Sequence, residues 1–252
     1  MSEIADYRRS LARSLASAQR HTVPSTFTLG SRTWDLLPQV FAPSESPSTR
    51  TALELLGLAG DGARAGGPLL EMGCGTGVIA VSAALAGCER VVAVDINPAA
   101  VRNTAMNARR HGVADRVRTV QGDLFSSLAA VMPDERFAQV FWSSNYVLAP
   151  EGFEYRDIHQ RAYVDSGYAA HRRYLAEVTH WLAPGGSALL HFSTRGDLAT
   201  LLNVAGECGR ALSSLGSVTV QEGEHEVEHM LLEVTVAGNR PAPARAVPEE
   251  RR

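Results

Sequence analysis

The sequence predicts an α/β fold built on a doubly wound, mostly parallel sheet with an N-terminal helical segment. Three observations point there. From residue 68 onward, short apolar runs alternate with longer amphipathic stretches, the signature of parallel strands joined by helices. The first apolar run, ending Leu69-Leu70-Glu71, turns through Gly73, Gly75 and Gly77 directly into a helical pattern. One helix length later a second run, Arg90 to Val94, ends in the acid Asp95.

The elements follow in order. Ile4, Tyr7, Leu11, Leu15 and Ala18 recur at three- and four-residue steps, which predicts a helix over 3–20 with arginines on its other side. Such a stripe either packs on the domain or forms a lid over a pocket. Residues 21–46 carry Pro24, Gly30, Pro38 and Pro43 and read as loop. A helix follows over 48–58, then a Gly-rich linker, 60–67. Strands are expected at 68–72, 90–95, 116–122, 137–143 and 186–192, with helices at 77–87, 98–111, 168–182 and 197–212. Two last strands, 217–222 and 228–237, have no helix between them and should form an antiparallel hairpin. The expected organisation is a helical extension or lid over 1–60, a ligand-binding domain over 61–238, and a disordered Pro-, Ala- and Arg-rich tail over 239–252.

Composition narrows the function. Hydrophobic residues make up 45% and charged residues 20% of the 252, as in globular proteins. A net charge of -3 leaves no basic excess to displace phosphate counterions, which argues against a nucleic-acid partner. The basic residues are all arginine, so no lysine base or Schiff base is available. Three widely spaced cysteines fit a reduced cytoplasm better than a disulfide framework. No signal peptide and no membrane span is read, so a cytoplasmic protein is expected.

The glycine turn is specific about its ligand. A dinucleotide fold uses G-x-G-x-x-G with a pyrophosphate at the helix N-terminus. Here the spacing is G-x-G-x-G, and Glu71, two residues ahead, would repel a pyrophosphate while suiting an ammonium group. Asp95 can take two ribose hydroxyls. The pattern resembles motif I of the class I S-adenosylmethionine-dependent methyltransferases, with Asp95 at the end of motif II. The resemblance implies a Rossmann-like, seven-stranded sheet ending in an antiparallel hairpin. It implies S-adenosylmethionine as cofactor, held by Glu71, Gly73, Cys74, Gly75, Gly77, Asp95, Ile96, Asn97, Asp123, Leu124 and Ser143. Within that set Asp123 would take the adenine amino group and the Leu124 backbone would face the ring. Asp123 is equally placed to cap a helix over 125–131.

The fourth strand should carry the acceptor chemistry. F-A-Q-V-F-W-S-S-N-Y-V, 137–147, resembles the protein-glutamine and DNA-adenine methyltransferases, and V-F-A-P at 40–43 and W-L-A-P-G-G at 181–186 extend the likeness. Those families have Asn-Pro-Pro-Tyr where this chain has Ser143-Ser144-Asn145-Tyr146. Serine is too short to make the asparagine's contact, and Asn145 lies on backbone freed from proline. A small-molecule acceptor in specialised metabolism is therefore expected, methylated at nitrogen or oxygen. Asn145, Tyr146 and Tyr168 are the candidate catalytic residues. Two alternatives stand beside it: cyclisation of the cofactor itself, as in azetidine-2-carboxylate synthases, and retained protein-glutamine methylation. The segment with Tyr155, Arg156, Asp157, His159, Tyr163 and Asp165 could form a lid of aromatic and polar groups.

One motif is discounted. His225-Glu226-Val227-Glu228-His229 matches H-E-x-x-H, which binds zinc only on a helix. It opens an apolar run that reads as a strand, where the two histidines lie about 13 Å apart, too far for one zinc.

Overall fold

The computed structural model describes residues 6–60, 62–63 and 65–238. Ile4 and the tail expected over 239–252 lie outside them. The central sheet has seven strands: β3 (Leu69–Met72), β4 (Val91–Asp95), β5 (Val117–Gln121), β6 (Phe137–Ser143), β9 (Leu182–Ser193), β10 (Arg210–Glu222) and β11 (His225–Val236). Their spatial order is β10-β11-β9-β6-β3-β4-β5. β3 to β6 and β9 pair in parallel, while β11 runs antiparallel between β9 and β10, which is the expected hairpin. Two short pairs lie outside the sheet: β1 (Ser25–Leu29) with β2 (Arg32–Leu36), and β7 (Leu148–Ala149) with β8 (Asp165–Ser166).

The strands are apolar on both sides because both sheet faces are covered. Period-2 alternation sorts their side chains into two cores. Leu69, Val91, Ala93, Phe141, Leu189 and Leu231 face α2 (Ser48–Leu55), α3 (Val78–Leu85) and α4 (Pro98–Arg110). Leu70, Val92, Val94, Val140, Trp142, Leu190 and Leu232 face α6 (Ala169–Glu177), α7 (Leu198–Glu207) and the short α5 (Leu128–Val131).

Local signals set the helix starts. At α4, the Asn97 side chain accepts from the Ala99 N–H at 2.9 Å, Pro98 supplies a preset φ, and Arg109 and Arg110 sit at the negative end. Asp197 caps α7 by accepting from Thr200 N–H. Gly77 starts α3 at φ +81°, and a Cβ there would come within 2.8 Å of Thr104 on α4. That residue is glycine so that two helices can touch.

Four expectations are corrected. The stretch read as loop over 21–46 contains the β1–β2 hairpin, whose Phe27, Leu29, Trp34 and Leu36 join the first core. Its backbone is held by α4: Asp35 N–H donates to Asn107 Oδ1 at 2.7 Å and Leu37 N–H to Asn103 Oδ1 at 2.8 Å. The helix expected to 212 stops at Glu207, because Gly209 turns the chain at φ +66° into β10. The helix expected over 168–182 ends at Glu177 in a 3-10 turn, Val178–Trp181. Of the stripe expected on α1 (Tyr7–Arg20), Tyr7 and Leu11 pack on an apolar cluster of Val147, Ala149, Tyr163 and Val164, but the most buried positions are Ser10, Ser14 and Ser17, and Leu15 is 60% exposed. No helix among the described residues is long and apolar enough to cross a membrane.

Candidate active site

A cavity of about 470 Å³ opens at the C-terminal ends of β3 to β6, where doubly wound sheets bind ligands. The chain crosses from one face of the sheet to the other here, so strand-end residues converge on one space. α1 contributes Ser10 and Arg13 to its wall, and the 153–166 segment contributes Phe153, Tyr155, His159 and Tyr163. These two segments are joined by a 2.9 Å contact between Ser14 Oγ and His159 Nδ1.

Nearly all the expected cofactor residues line this cavity: Glu71, Gly73, Cys74, Gly75, Asp95, Ile96, Asn97, Asp123, Leu124 and Ser143. Gly77 does not; its role is the α3–α4 contact described above. Glu71 is 2% exposed, and its Oε2 has no hydrogen-bond partner among the described residues. Burial, with Asp95 adding to it, pushes its carboxyl well above the usual range, against a supporting bond from the Ala80 backbone. Asp95 accepts from Gly75 N–H at 2.9 Å and Asn97 N–H at 2.8 Å, yet burial still raises it to about 6. Burial likewise raises the Cys74 thiol, which accepts from Thr104 Oγ1; this cysteine fills a tight turn and is no thiolate.

Asp123 pairs with Arg173, Oδ2 to Nη1 at 2.8 Å, and its backbone carbonyl accepts from the same guanidinium. It does not cap α5, which begins at Leu128 without a side-chain cap. Leu124 has φ +54°, a left-handed backbone at a cavity-lining position. These residues fit S-adenosylmethionine. The orphaned Glu71 oxygen suits its ammonium, the bare Gly73–Gly75 backbone allows close approach, and the Asp95 carboxylate is placed for a ribose.

At the other end, Asn145 and Tyr146 line the cavity as expected. Asn145 Nδ2 donates to two backbone carbonyls, Val164 at 2.8 Å and Arg161 at 3.0 Å. Carbonyls only accept, so the amide is fixed, and its buried Oδ1 is left without a partner among the described residues. Tyr146 packs its ring edgewise near His191, Phe192 and His229, and its hydroxyl lies towards Ser193 and Ser48. Tyr168 is not part of the cavity wall. It is fully buried at φ +54°, its hydroxyl donating to Tyr146 O at 2.7 Å and accepting from Asp197 N–H at 2.8 Å. It positions the Tyr146 backbone and cannot touch a substrate.

Several groups in and beside the wall escape the sequence reading. Ser143 Oγ meets His191 Nδ1 at 3.0 Å, and Ser144 Oγ donates to His191 O at 3.0 Å. His191 Nε2 meets His229 Nδ1 at 3.1 Å with the rings stacked. Burial holds His191 down at about 3, so it is neutral. The discounted histidine motif thus lies on strand β11, and its second histidine belongs to this buried pair. Glu222, on β10, bonds Arg195 at 2.7 Å and lies 3.7 Å from Arg13. Asp165 holds His171 Nδ1 at 2.7 Å, but only Asp165 reaches the cavity.

Comparison with known proteins agrees with the cofactor end. Residues 41–135 match the family model described as ribosomal protein L11 methyltransferase (PrmA). A ribosomal protein L11 methyltransferase of Pelotomaculum thermopropionicum is 52% identical over 65 residues, covering 26% of this chain and 21% of that protein. One from Geobacter metallireducens is 33% identical over 149 residues, covering 55% and 48%. The chain therefore spans between 21% and 48% of these two relatives. Among solved structures, a ribosomal protein L11 methylase from Lactobacillus delbrueckii subsp. bulgaricus superposes with a TM-score of 0.53 at 15% identity, over 80% of this chain and 84% of that one.

The names of these relatives, which specify a protein acceptor, overturn the small-molecule partner and the specialised-metabolism role expected from Ser143–Tyr146. The physical reason is local. The two serines that replace the asparagine and proline of the other families are engaged with His191 on β9, so they report strand packing and not a change of acceptor class. The chain has the class I S-adenosylmethionine-dependent methyltransferase fold, and its cofactor half is similar to that of the ribosomal protein L11 methyltransferases.

Proposed function

We propose that this protein transfers the methyl group of S-adenosylmethionine to an amine nitrogen of a protein. The carrying observation is Asn145, whose Nδ2 is locked on Val164 and Arg161 so that Oδ1 can only accept. A buried acceptor with no partner suits a nitrogen that brings its own N–H. The protein character of the acceptor is supported by the names of the relatives matching residues 41–135. The lone tyrosine kept from the Asn-Pro-Pro-Tyr pattern, Tyr146, supports an acceptor placed at the end of β6.

When bound, the cofactor supplies an activated methyl group, so the chain's own task is positioning and exclusion of water. Glu71 and the Gly73–Gly75 backbone hold the amino-acid end, and Asp95 orients the ribose. Asp123, fixed by Arg173, and the Leu124 backbone border the base. Asn145 Oδ1 directs the lone pair of the attacking nitrogen by holding one of its hydrogens. α1 and the 153–166 segment act as a lid that excludes water, a role supported by Ser10 and Arg13 in the wall. In this division residues 1–60 are an extension to a 61–238 domain.

The test is incubation with methyl-labelled S-adenosylmethionine and purified ribosomal protein L11, followed by acid precipitation. The expected result is label in the protein with an equal amount of S-adenosylhomocysteine. Label confined to small molecules, or methylthioadenosine as product, would overturn the proposal. Asn145→Ala is expected to lower kcat about 100-fold while leaving cofactor affinity unchanged.

A further inference from the structure

The arginines of the cavity wall are not all accounted for by the cofactor. Arg173 belongs to Asp123. Arg195 follows β9 and has a side chain only 6% exposed, yet its Nε–H finds no partner among the described residues. Arg13 reaches the same region from α1, where its Nη2 donates to Glu45 O at 3.3 Å. Between the two guanidinium groups lies one carboxylate, Glu222, which uses Oε2 for both.

The charge does not balance. Two guanidinium groups face one carboxylate, and the neighbouring His191 is neutral. The remaining wall here offers hydroxyls, those of Ser10, Ser46, Ser48 and Tyr146. A net positive charge here, half-buried at Arg13 and buried at Arg195 with an unused Nε–H donor, is costly until an anion arrives. Guanidinium forks match carboxylates in shape. Tyr146 ties the place to the reaction centre, because its hydroxyl feels both Glu222 and Arg13 and its chain neighbour is Asn145.

We infer that Arg13 and Arg195 form a carboxylate-binding subsite at the end of the cavity beyond Asn145, with Glu222 setting its net charge. The inference rests on the cofactor reading and deepens it. The carboxylate comes from one of two sources: the amino-acid end of the cofactor, or the acceptor. Because Arg13 is carried by α1, an anion bound here also fastens the lid.

Calorimetry on the full chain separates the sources. S-adenosylhomocysteine carries the amino-acid end, and methylthioadenosine lacks it while keeping the nucleoside. Two variants change the charge in opposite directions: Arg13→Gln on a partly exposed helix face, and Glu222→Gln, which keeps the shape. Arg195→Gln is unsuitable because it strands a buried Glu222. If the cofactor's carboxylate binds here, Arg13→Gln weakens S-adenosylhomocysteine about tenfold, Glu222→Gln tightens it, and methylthioadenosine is unmoved. If the acceptor's carboxylate binds here, neither nucleoside ligand changes. Acetate titrated into protein saturated with S-adenosylhomocysteine then binds, more weakly in Arg13→Gln and more tightly in Glu222→Gln. Folded variants, verified by melting curves, that alter neither ligand nor acetate binding overturn the subsite. Failure of the unaltered protein to bind S-adenosylhomocysteine sinks the cofactor reading instead, and the two failures are thereby distinct.

Discussion

Glu71 stands in the cavity with a carboxyl that burial pushes well above the usual carboxylate range and an oxygen that has no hydrogen-bond partner among the described residues. An arriving ammonium reverses that preference, since an adjacent positive charge favours the ionised acid. Binding of S-adenosylhomocysteine is therefore expected to be linked to proton release from Glu71. Calorimetry in buffers of differing ionisation enthalpy measures it, and Glu71→Gln should abolish the release. Asp95 has a simpler sign. Its folded carboxyl, at about 6, lies above the ordinary value near 4. The folded state thus holds the proton more tightly, which favours folding at low pH and loses that advantage as pH climbs through about 6. With Asp95 orienting the ribose as proposed, ligand affinity runs the other way, because the carboxylate is the form that binds. Affinity should fall as pH drops below about 6, and a pH series on Asp95→Asn should be flat in that range. Both acids were legible in the sequence because each ends a strand at a fixed distance from the glycine turn. Arg13, Arg195 and Glu222 were not, since they come from α1, the end of β9 and the end of β10 and meet only in three dimensions.

At the scale of elements, the parallel strands declared themselves as apolar runs because both their faces are buried. The β1–β2 hairpin did not, for two physical reasons. Prolines flank it, and its backbone partners are Asn103 and Asn107, polar residues on a helix that a periodicity argument assigns to solvent. Asn107→Ala should therefore cost about 1–3 kcal/mol, by stranding the Asp35 N–H and the Thr76 carbonyl, while the Asp35 carbonyl keeps its bond from Asn103 Nδ2. Urea unfolding measures it. Gly77→Ala should cost more, because the new methyl meets Thr104 and the backbone is left-handed. A loss of about 2–4 kcal/mol is expected, with cofactor affinity falling only through displacement of the turn. The overrun of α7 has the same lesson in reverse: helical periodicity continued past Glu207, and a single glycine at 209 decided the end.

Across the whole molecule, the sheet separates two cores, and the cavity lies where strand ends from both meet. The cofactor end is made by β3, β4 and β5, close together in sequence, which is why it was readable. The proposed acceptor end gathers α1, β6, β9 and the β10–β11 hairpin, spread across the chain from Arg13 to His229. Removing residues 1–20 is expected to leave the sheet's circular dichroism intact. Stopped-flow dissociation of S-adenosylhomocysteine should then speed up about tenfold, as loss of a lid implies. An unchanged rate would assign α1 to packing alone.

The serine face of α1 gives the proposed lid a particular character. A helix seated by leucines adheres through dry contact and resists detachment, since lifting it wets oily surface. α1 combines a small dry contact, Tyr7 and Leu11 on the Tyr163 cluster, with a face of Ser10, Ser14 and Ser17 that trades hydroxyl contacts for equivalent ones with water. Its hold is then shared between that dry contact, a few directional bonds such as Ser14 to His159, and whatever Arg13 grips. Such a latch is cheap to lift when the cavity is empty and firm when it is full, so occupancy itself times the opening.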